Sequence, residues 1–439
     1  MRLQFHCGRI TRALLVLVLA APAACNNLLD VETLGRLPAE ALDDPALVPY
    51  LAAGAMQTLQ CGVTAFAATA GMLSGEYLSG NGFVNNHIWE WRSITDIKQN
   101  PGTCTVTRTT TSMGFYTPLQ QARFQLEDTF GRAEKATDAE VPNRALILTQ
   151  MRAYAGYAYL LLAEGMCQMT VDGGPAMTQD QVLAIAEERF SDAMTRATAV
   201  ANSADVTPVV KTEATSLLNM ATVGRARTRL DQSKLDPSKL ALAAADAILV
   251  PAGFVRNAEF STTNQARENR IYNLTVQNAY LSVGPDYLNL TVNGVADPRV
   301  RVQDMNRNAD DGITHMYRQL KFSAPTSNLA IASWAEAQLI YAEAVGGQAG
   351  LDAVNRVRAA NSPAIAPIAG PAPTGTAWRD LVLEERRRQL FSEGQRYVDM
   401  LRYSLPFQSG VNRKGQTYSN LTCVPLPDVE TRNNPNFSS

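Results

Sequence analysis

Histidine is almost missing from this chain: His6, His87 and His315 are the three in 439 residues. His6 falls in a stretch read below as removed on export, and neither of the others adjoins a nucleophile motif; "GMLSGE" lacks the nucleophile-elbow spacing. An imidazole base or a histidine metal site therefore has little to be built from, and the expectation is a non-enzyme with no metal and no cofactor. Cysteine is scarce as well, six in all with no CxxC pair, which argues against zinc. No basic block occurs and the formal charge is −2, so nucleic acid is not an expected partner. No internal run approaches the roughly eighteen apolar residues of a membrane-spanning helix. What the chain has in quantity is hydrophobic residues, 46% against 18% charged, enough for a large globular core.

The N-terminus departs from the rest. Residues 1–12 carry Arg2, Arg9 and Arg12 and no acid, and residues 13–24 are apolar and too few to span a bilayer. This is the pattern of an export signal, and it ends in one of two ways. Ala-Pro-Ala-Ala provides a small-x-small site for free secretion; alternatively Ala23-Ala24 directly precede Cys25, whose thiol would accept the lipid of a bacterial lipoprotein, although Pro22 stands where that signal usually has leucine. On the second reading residues 1–24 are the signal, residues 25–49 a tether, and residues 50–439 a single domain. Loss of the three arginines takes the formal charge from −2 to −5. Cys7 would leave with the signal, so Cys61, Cys104, Cys167 and Cys423 remain for bridging. Four cysteines allow three connectivities, which sequence does not decide. The working pairing is Cys61 with Cys104, the shortest loop between neighbours, and Cys167 with Cys423, which would tie an irregular tail to a helical scaffold.

Helical periodicity dominates the mature chain. In 144–167, Leu146, Met151, Tyr154, Ala158, Leu161 and Leu162 recur at three- and four-residue steps, and "VDGGP" closes the segment. Residues 187–201, 213–230, 239–250, 331–345, 351–360 and 378–403 read as further helices. Their alternation with tight turns resembles stacked helix-turn-helix repeats. Residues 254–322 lack a period and suit long loops and short strands, and the tail from Ser404 reads as irregular. "DMNRNADDG" places Asp304, Asn306 and Asn308 as in a calcium loop, but Ala309 stands where glycine is needed and His315 where a bidentate glutamate is needed, so it reads as a polar loop. Glu384 with Arg388, Arg396 with Asp399 and Asp399 with Arg402 have the spacing of intrahelical pairs.

Four stretches, in order, resemble the SusD/RagB family of outer-membrane nutrient-binding lipoproteins. "ASWAEAQLIYAEA" (332–344) resembles its aromatic-AE-YAEA helix, and "LDAVNRVRAANSPA" the following N-x-V-R helix. "LEERRRQLFSEGQRYVDMLR" resembles the signature E-R-x-x-E-L-x-x-E-G-x-R-x-x-D-x-x-R with Gln389 in place of a glutamate, and "VPLPDVETRNNPN" resembles its closing segment. "VADPRV" and residues 151–175 also have counterparts. The resemblance implies a mostly α fold on a tetratricopeptide-like scaffold with long inserted loops, divided at about 253/254 into N-terminal repeats with binding loops and a C-terminal SusD/RagB-type region. It implies a lipid-anchored protein of the outer membrane, facing outward, that holds a nutrient, commonly a glycan, over a SusC-like TonB-dependent transporter. The matching residues Glu336, Glu343, Arg356, Arg386, Glu393, Arg396 and Asp399 are expected to hold helices together.

The pocket must be sought from chemistry. Sugars offer C–H faces to aromatic rings and hydroxyls to amides. "EYLSGNGFVNNHIWEW" (76–91) combines both in one loop-like stretch, and Tyr77, Asn81, Phe83, Asn86, Trp89 and Trp91 are the candidate ligand contacts, with Asn85 and His87 beside them. The alternative assignment places Trp89 and Trp91 against a core. A second function class stays open: the aromatic content is only 7%, which would also suit a peptide- or protein-binding helical-repeat lipoprotein without a sugar pocket.

Overall fold

The computed structural model describes residues 39–95, 102, 113–432 and 434–437; Cys25 and Cys104 lie outside them. Contacts divide the chain into a unit ending at Asp44, in which Ala39–Asp43 is a 3-10 turn, and a unit comprising Pro45–Ser439.

The second unit is mostly α. It opens with α1 (Val48–Ser74), which has Pro49 in its first turn and ends at Gly75, whose φ of +80° is the left-handed cap glycine adopts at least cost. From Gly62 to Ser74 α1 is buried on every side. β1 (Tyr77–Ser79) and the short α2 (Val84–Trp91) follow. Then come α3 (Tyr116–Lys135), which packs on α1, and α4 (Arg144–Gly165), α5 (Gln179–Asn202), α6 (Pro208–Gln232) and α7 (Lys239–Ala247), each packed on the one before it, which makes the tetratricopeptide-like stack. Two helix starts lie upstream of the expected ones because caps set them. Thr178 and Gln181 form a reciprocal capping box at α5, and the Thr207 hydroxyl accepts from Val210 N–H one residue before Pro208 at α6.

Glycine decides how close α4, α5 and α6 come. Phe190 of α5 inserts its ring between Gly156 and Gly224, where an added Cβ would stand 2.5 and 2.4 Å from ring carbons. Tyr157 meets the same ring edge-on at 5.0 Å. Gly224→Ala is expected to destabilise by about 1–3 kcal/mol through overpacking, and Gly224→Ala combined with Phe190→Leu to recover part of that loss, as measured by denaturant unfolding.

The C-terminal half carries short antiparallel pairs. β2 (Val255–Ala258) pairs with β6 (Leu329–Ser333), β1 with β3 (Leu281–Val283), and β4 (Val302–Asn308) with β5 (His315–Gln319). Residues 331–345 thus begin as strand, and the helix, α8 (Trp334–Val345), starts where the Ser333 hydroxyl caps Glu336 N–H. α9 (Gly347–Ala359) follows. The expected helix over 378–403 is two, α10 (Gly375–Gln389) and α11 (Gln395–Arg402), because Ser392 at φ +65° and Gly394 at φ +80° turn the chain between them. The Ser392 hydroxyl is spent on the Tyr77 hydroxyl, 2.5 Å away.

Buried charge clamps these helices. Arg386 meets Asp399 at 3.0 Å, and Arg402 bridges Asp399 at 2.8 Å and Glu343 at 3.0 Å. Arg299 joins Asp297 to Glu385, and Arg358 reaches Glu385 from α9. Burial opposes ionisation of Asp297, but its bonds to Arg299 outweigh that and hold its pKa down to about 2. Arg356 donates to Gln338, and Glu393 pairs with Lys321. Glu384 pairs with Arg388 and Asp399 with Arg402 as spacing indicates, but the second partner of Asp399 is Arg386 in place of Arg396, which, in the first turn of α11, directs its charge toward Glu76. Cys167 and Cys423 are joined by a disulfide, with Cα atoms 5.1 Å apart. Cys167 N–H also donates to Val424 O, and Val424 N–H to Gly165 O, so the tail lies directly on the end of α4.

Candidate ligand-binding face

The stretch 76–91 is β1, a turn and α2, not a loop, and that geometry sorts its side chains. A helix advances about 100° per residue, so Trp89 and Trp91 cannot share a face. Trp89 is 1% exposed and packs on Phe115 at 6.1 Å; Trp91 is half-buried, its ring 5.0 Å from His87. Tyr77 is enclosed between Phe391 and Ser392. Asn81 is enclosed too, its amide donating to Tyr280 O and accepting from Phe83 N–H. Asn86 is buried, and neither amide atom has a hydrogen-bond partner among the described residues. Of the six candidates, Phe83 presents most to solvent, 45% exposed, and it meets Tyr280 edge-on at 5.6 Å. Asn85 and Val84 are exposed beside it.

Two segments distant in sequence fix this tip. Asp311, in the turn between β4 and β5, donates its N–H to Gly80 O. Lys414 pairs with the Asp311 carboxylate at 2.7 Å, donates to Asn81 O and lies 3.0 Å from His87 Nε2. Arg413 is paired with Glu90, and donates to Ser79 O and the Thr314 hydroxyl. Burial would raise the Asp311 carboxyl; Lys414, the Thr314 hydroxyl and the amides of Thr314 and Ile313 hold it well below the ordinary range instead. Burial, joined by the Lys414 charge, holds the His87 imidazole below its usual pKa, so it is neutral at pH 7. Arg413 and Lys414 of the tail are thus balanced by Glu90 of α2 and Asp311 of the β4–β5 turn, leaving these four side chains a platform without excess charge under Phe83 and Tyr280.

The tail supplies half of that platform, and periodicity gave no sign of it. Its anchor is Arg92, 2% exposed at φ +54°, which donates to Leu421 O, Ser419 O and Gln408 O, with its guanidinium over the Phe407 and Tyr418 rings. The calcium-like residues belong to the hairpin itself: the Asp304 carboxylate contacts His315 at 2.6 Å and caps Asn306 N–H, while Asn308 donates to Gly312 O. Among the described residues no group of three acidic, histidine or cysteine side chains is placed to hold a metal, and no helix is long and apolar enough to cross a membrane.

Residues 250–437 match the model of the SusD family. No curated protein matches the sequence. Among solved structures, a SusD superfamily protein from Parabacteroides distasonis superposes with TM-score 0.65 at 13% identity over 92% of this chain and 99% of its own. Surface glycan-binding protein A from Bacteroides fluxus gives 0.65 at 14% identity over 88% and 97%. The protein of that name from Bacteroides thetaiotaomicron, solved with laminarihexaose, gives 0.59 at 14% identity over 89% and 97%. Residues 250–437 thus resemble the SusD family in sequence, and the chain shares the fold of solved SusD superfamily proteins over most of its length.

Proposed function

We propose that this chain binds a glycan at the cell surface without catalysis and passes it to a SusC-like TonB-dependent outer-membrane transporter. In this reading residues 1–24 are removed as signal, Cys25 carries the lipid, residues 25–49 tether the protein to the outer membrane, and residues 50–439 bind. The observation that carries it is the exposed Phe83 ring beside the half-buried Tyr280 on a salt-bridged platform, since stacking on a rigid ring is how neutral sugars are held with little entropic cost. The fold shared with two proteins named as surface glycan binders supports it. Phe83→Ala or Tyr280→Ala is expected to weaken binding of the recognised polysaccharide by about 2 kcal/mol, near thirtyfold, with melting unchanged for the exposed Phe83. Titration calorimetry against a panel of neutral polysaccharides reads this; unchanged affinity in both variants would remove the face from the proposal.

Val84 and Ile313, 66% and 56% exposed near the same tip, favour the second reading, an apolar protein or peptide partner. Peptide binding lost with Val84→Ser and Ile313→Ser, in a protein that ignores every polysaccharide, would establish it. Lipidation is tested separately. Cys25→Ser is expected to move the protein from the membrane to the soluble fraction, and failure of the native protein to incorporate labelled palmitate would contradict the anchor.

A further inference from the structure

A second polar pocket, about 380 Å³ in volume, opens between α1, α4 and the chain leaving β2. Gln57 and Gln60 line it from α1, seventeen and fourteen residues before Ser74, so it lies about 20–25 Å along that helix from its C-terminal end at 1.5 Å per residue. The two amides sit one turn apart, half-buried, without hydrogen-bond partners among the described residues.

The floor is neutral and fixed. Arg256 makes a two-pronged pair with Glu213, 2.9 Å on each side, and its remaining donors reach Ser216 and the Tyr154 hydroxyl. Tyr154 accepts two bonds from Arg256 at 3.0 and 3.2 Å, so its own O–H proton is left to donate, and no acceptor for it lies among the described residues. Phe260 and Met56 supply an apolar wall, both half-buried against the core. At the rim Glu259 and Arg267 carry opposite charges, and Ser261 N–H bonds Arg267 O at 2.9 Å to close the rim loop.

We propose that this pocket is a second ligand site, separate from the Phe83 face, and that it takes one or two rings of an uncharged, polyhydroxylated ligand. Two free amides and a phenol donor meet hydroxyls, the Phe260 ring meets a C–H face, and a wall without net charge gives ionic ligands no preference. The volume lies at the small end of ligand pockets, which suits a mono- or disaccharide unit and not a long chain.

The test is saturation-transfer NMR on the mature protein. The probes are methyl glycosides of glucose, galactose, mannose and xylose, with maltose and cellobiose, and inositol phosphate as the ionic control. At least one neutral probe is expected to receive saturation in the wild type and in Phe83→Ala, and to lose it, with affinity at least tenfold weaker, in Phe83→Ala/Gln57→Ala/Gln60→Ala. The milder Phe260→Leu is expected to weaken the same probe in the Phe83→Ala background, and melting shows whether each variant is folded. Transfer that survives Phe83→Ala/Gln57→Ala/Gln60→Ala, transfer abolished by Phe83→Ala alone, or transfer to inositol phosphate only, would overturn the second site. Loss at this pocket leaves the reading of the Phe83 face untouched, and loss of that face leaves this pocket.

Discussion

Arg227→Met is expected to destabilise the protein by about 3–5 kcal/mol, because it removes the cation from a buried triad. Arg227 lies inside α6, 5% exposed, and its guanidinium makes two 2.6 Å bonds to Glu164 of α4 and one of 3.4 Å to Glu336 of α8. Methionine fills much of the space but leaves two carboxylates facing each other out of water. Burial already pushes Glu336 up to about 7, with Arg227 the leading influence in the other direction. A carboxyl whose folded pKa is raised contributes stability below its unfolded pKa, near 4.3, and loses it as pH rises through the folded value. The deficit of Arg227→Met is therefore expected to be largest at pH 7.5 and to shrink toward pH 5. Arg227→Met/Glu164→Gln should recover part of the loss at pH 7.5. Denaturant unfolding at the two pH values reads all of this; a deficit under 1 kcal/mol at pH 7.5 would mean that water reaches the triad.

Trp89→Ala is expected to cost about 3–5 kcal/mol in stability and to leave polysaccharide affinity within twofold. The indole is enclosed on Phe115 and its Nε1 has no hydrogen-bond partner among the described residues, so the loss is one of packing. Trp89→Phe keeps most of the buried area and should cost far less. Thermal melting and titration on the same variants separate the roles, and an affinity loss at unchanged stability would make Trp89 a ligand contact.

The pair Trp89 and Trp91 marks where local reading stops. Composition located an aromatic and amide-rich stretch that does reach the surface at Phe83. Which side chains turn outward depended on whether that stretch was loop or helix, and eight residues between a glycine-containing turn and the left-handed Arg92 gave too short a window for the period to declare itself. α4 was legible as a long apolar run closed by the "VDGGP" turn, not through amphipathic contrast, since it is buried on all sides from Ala153 to Gly165. α1 is likewise buried on all sides from Gly62 to Ser74, so no amphipathic contrast marks that half. The break at 390–394 was half visible, in Gly394; Ser392 carries no comparable signal, since its left-handed backbone is held by Tyr77, distant in sequence. The tail is ordered by Arg92 donating to three of its carbonyls and by Cys167, contacts no local window contains. The family-like motifs were the most informative part because buried ion clusters constrain residue type at fixed spacing, and Arg299, Arg386 and Asp399 fill those places.

The central claim, retention of a neutral glycan without chemistry, is tested most directly by incubating the purified mature protein with a panel of soluble neutral polysaccharides and following both retardation in affinity gels and the release of reducing ends. The account predicts that at least one polymer retards the wild type, that retardation falls in Phe83→Ala/Tyr280→Ala, and that no new reducing ends appear. Accumulating reducing ends, or a wild type that no polysaccharide retards, would contradict it.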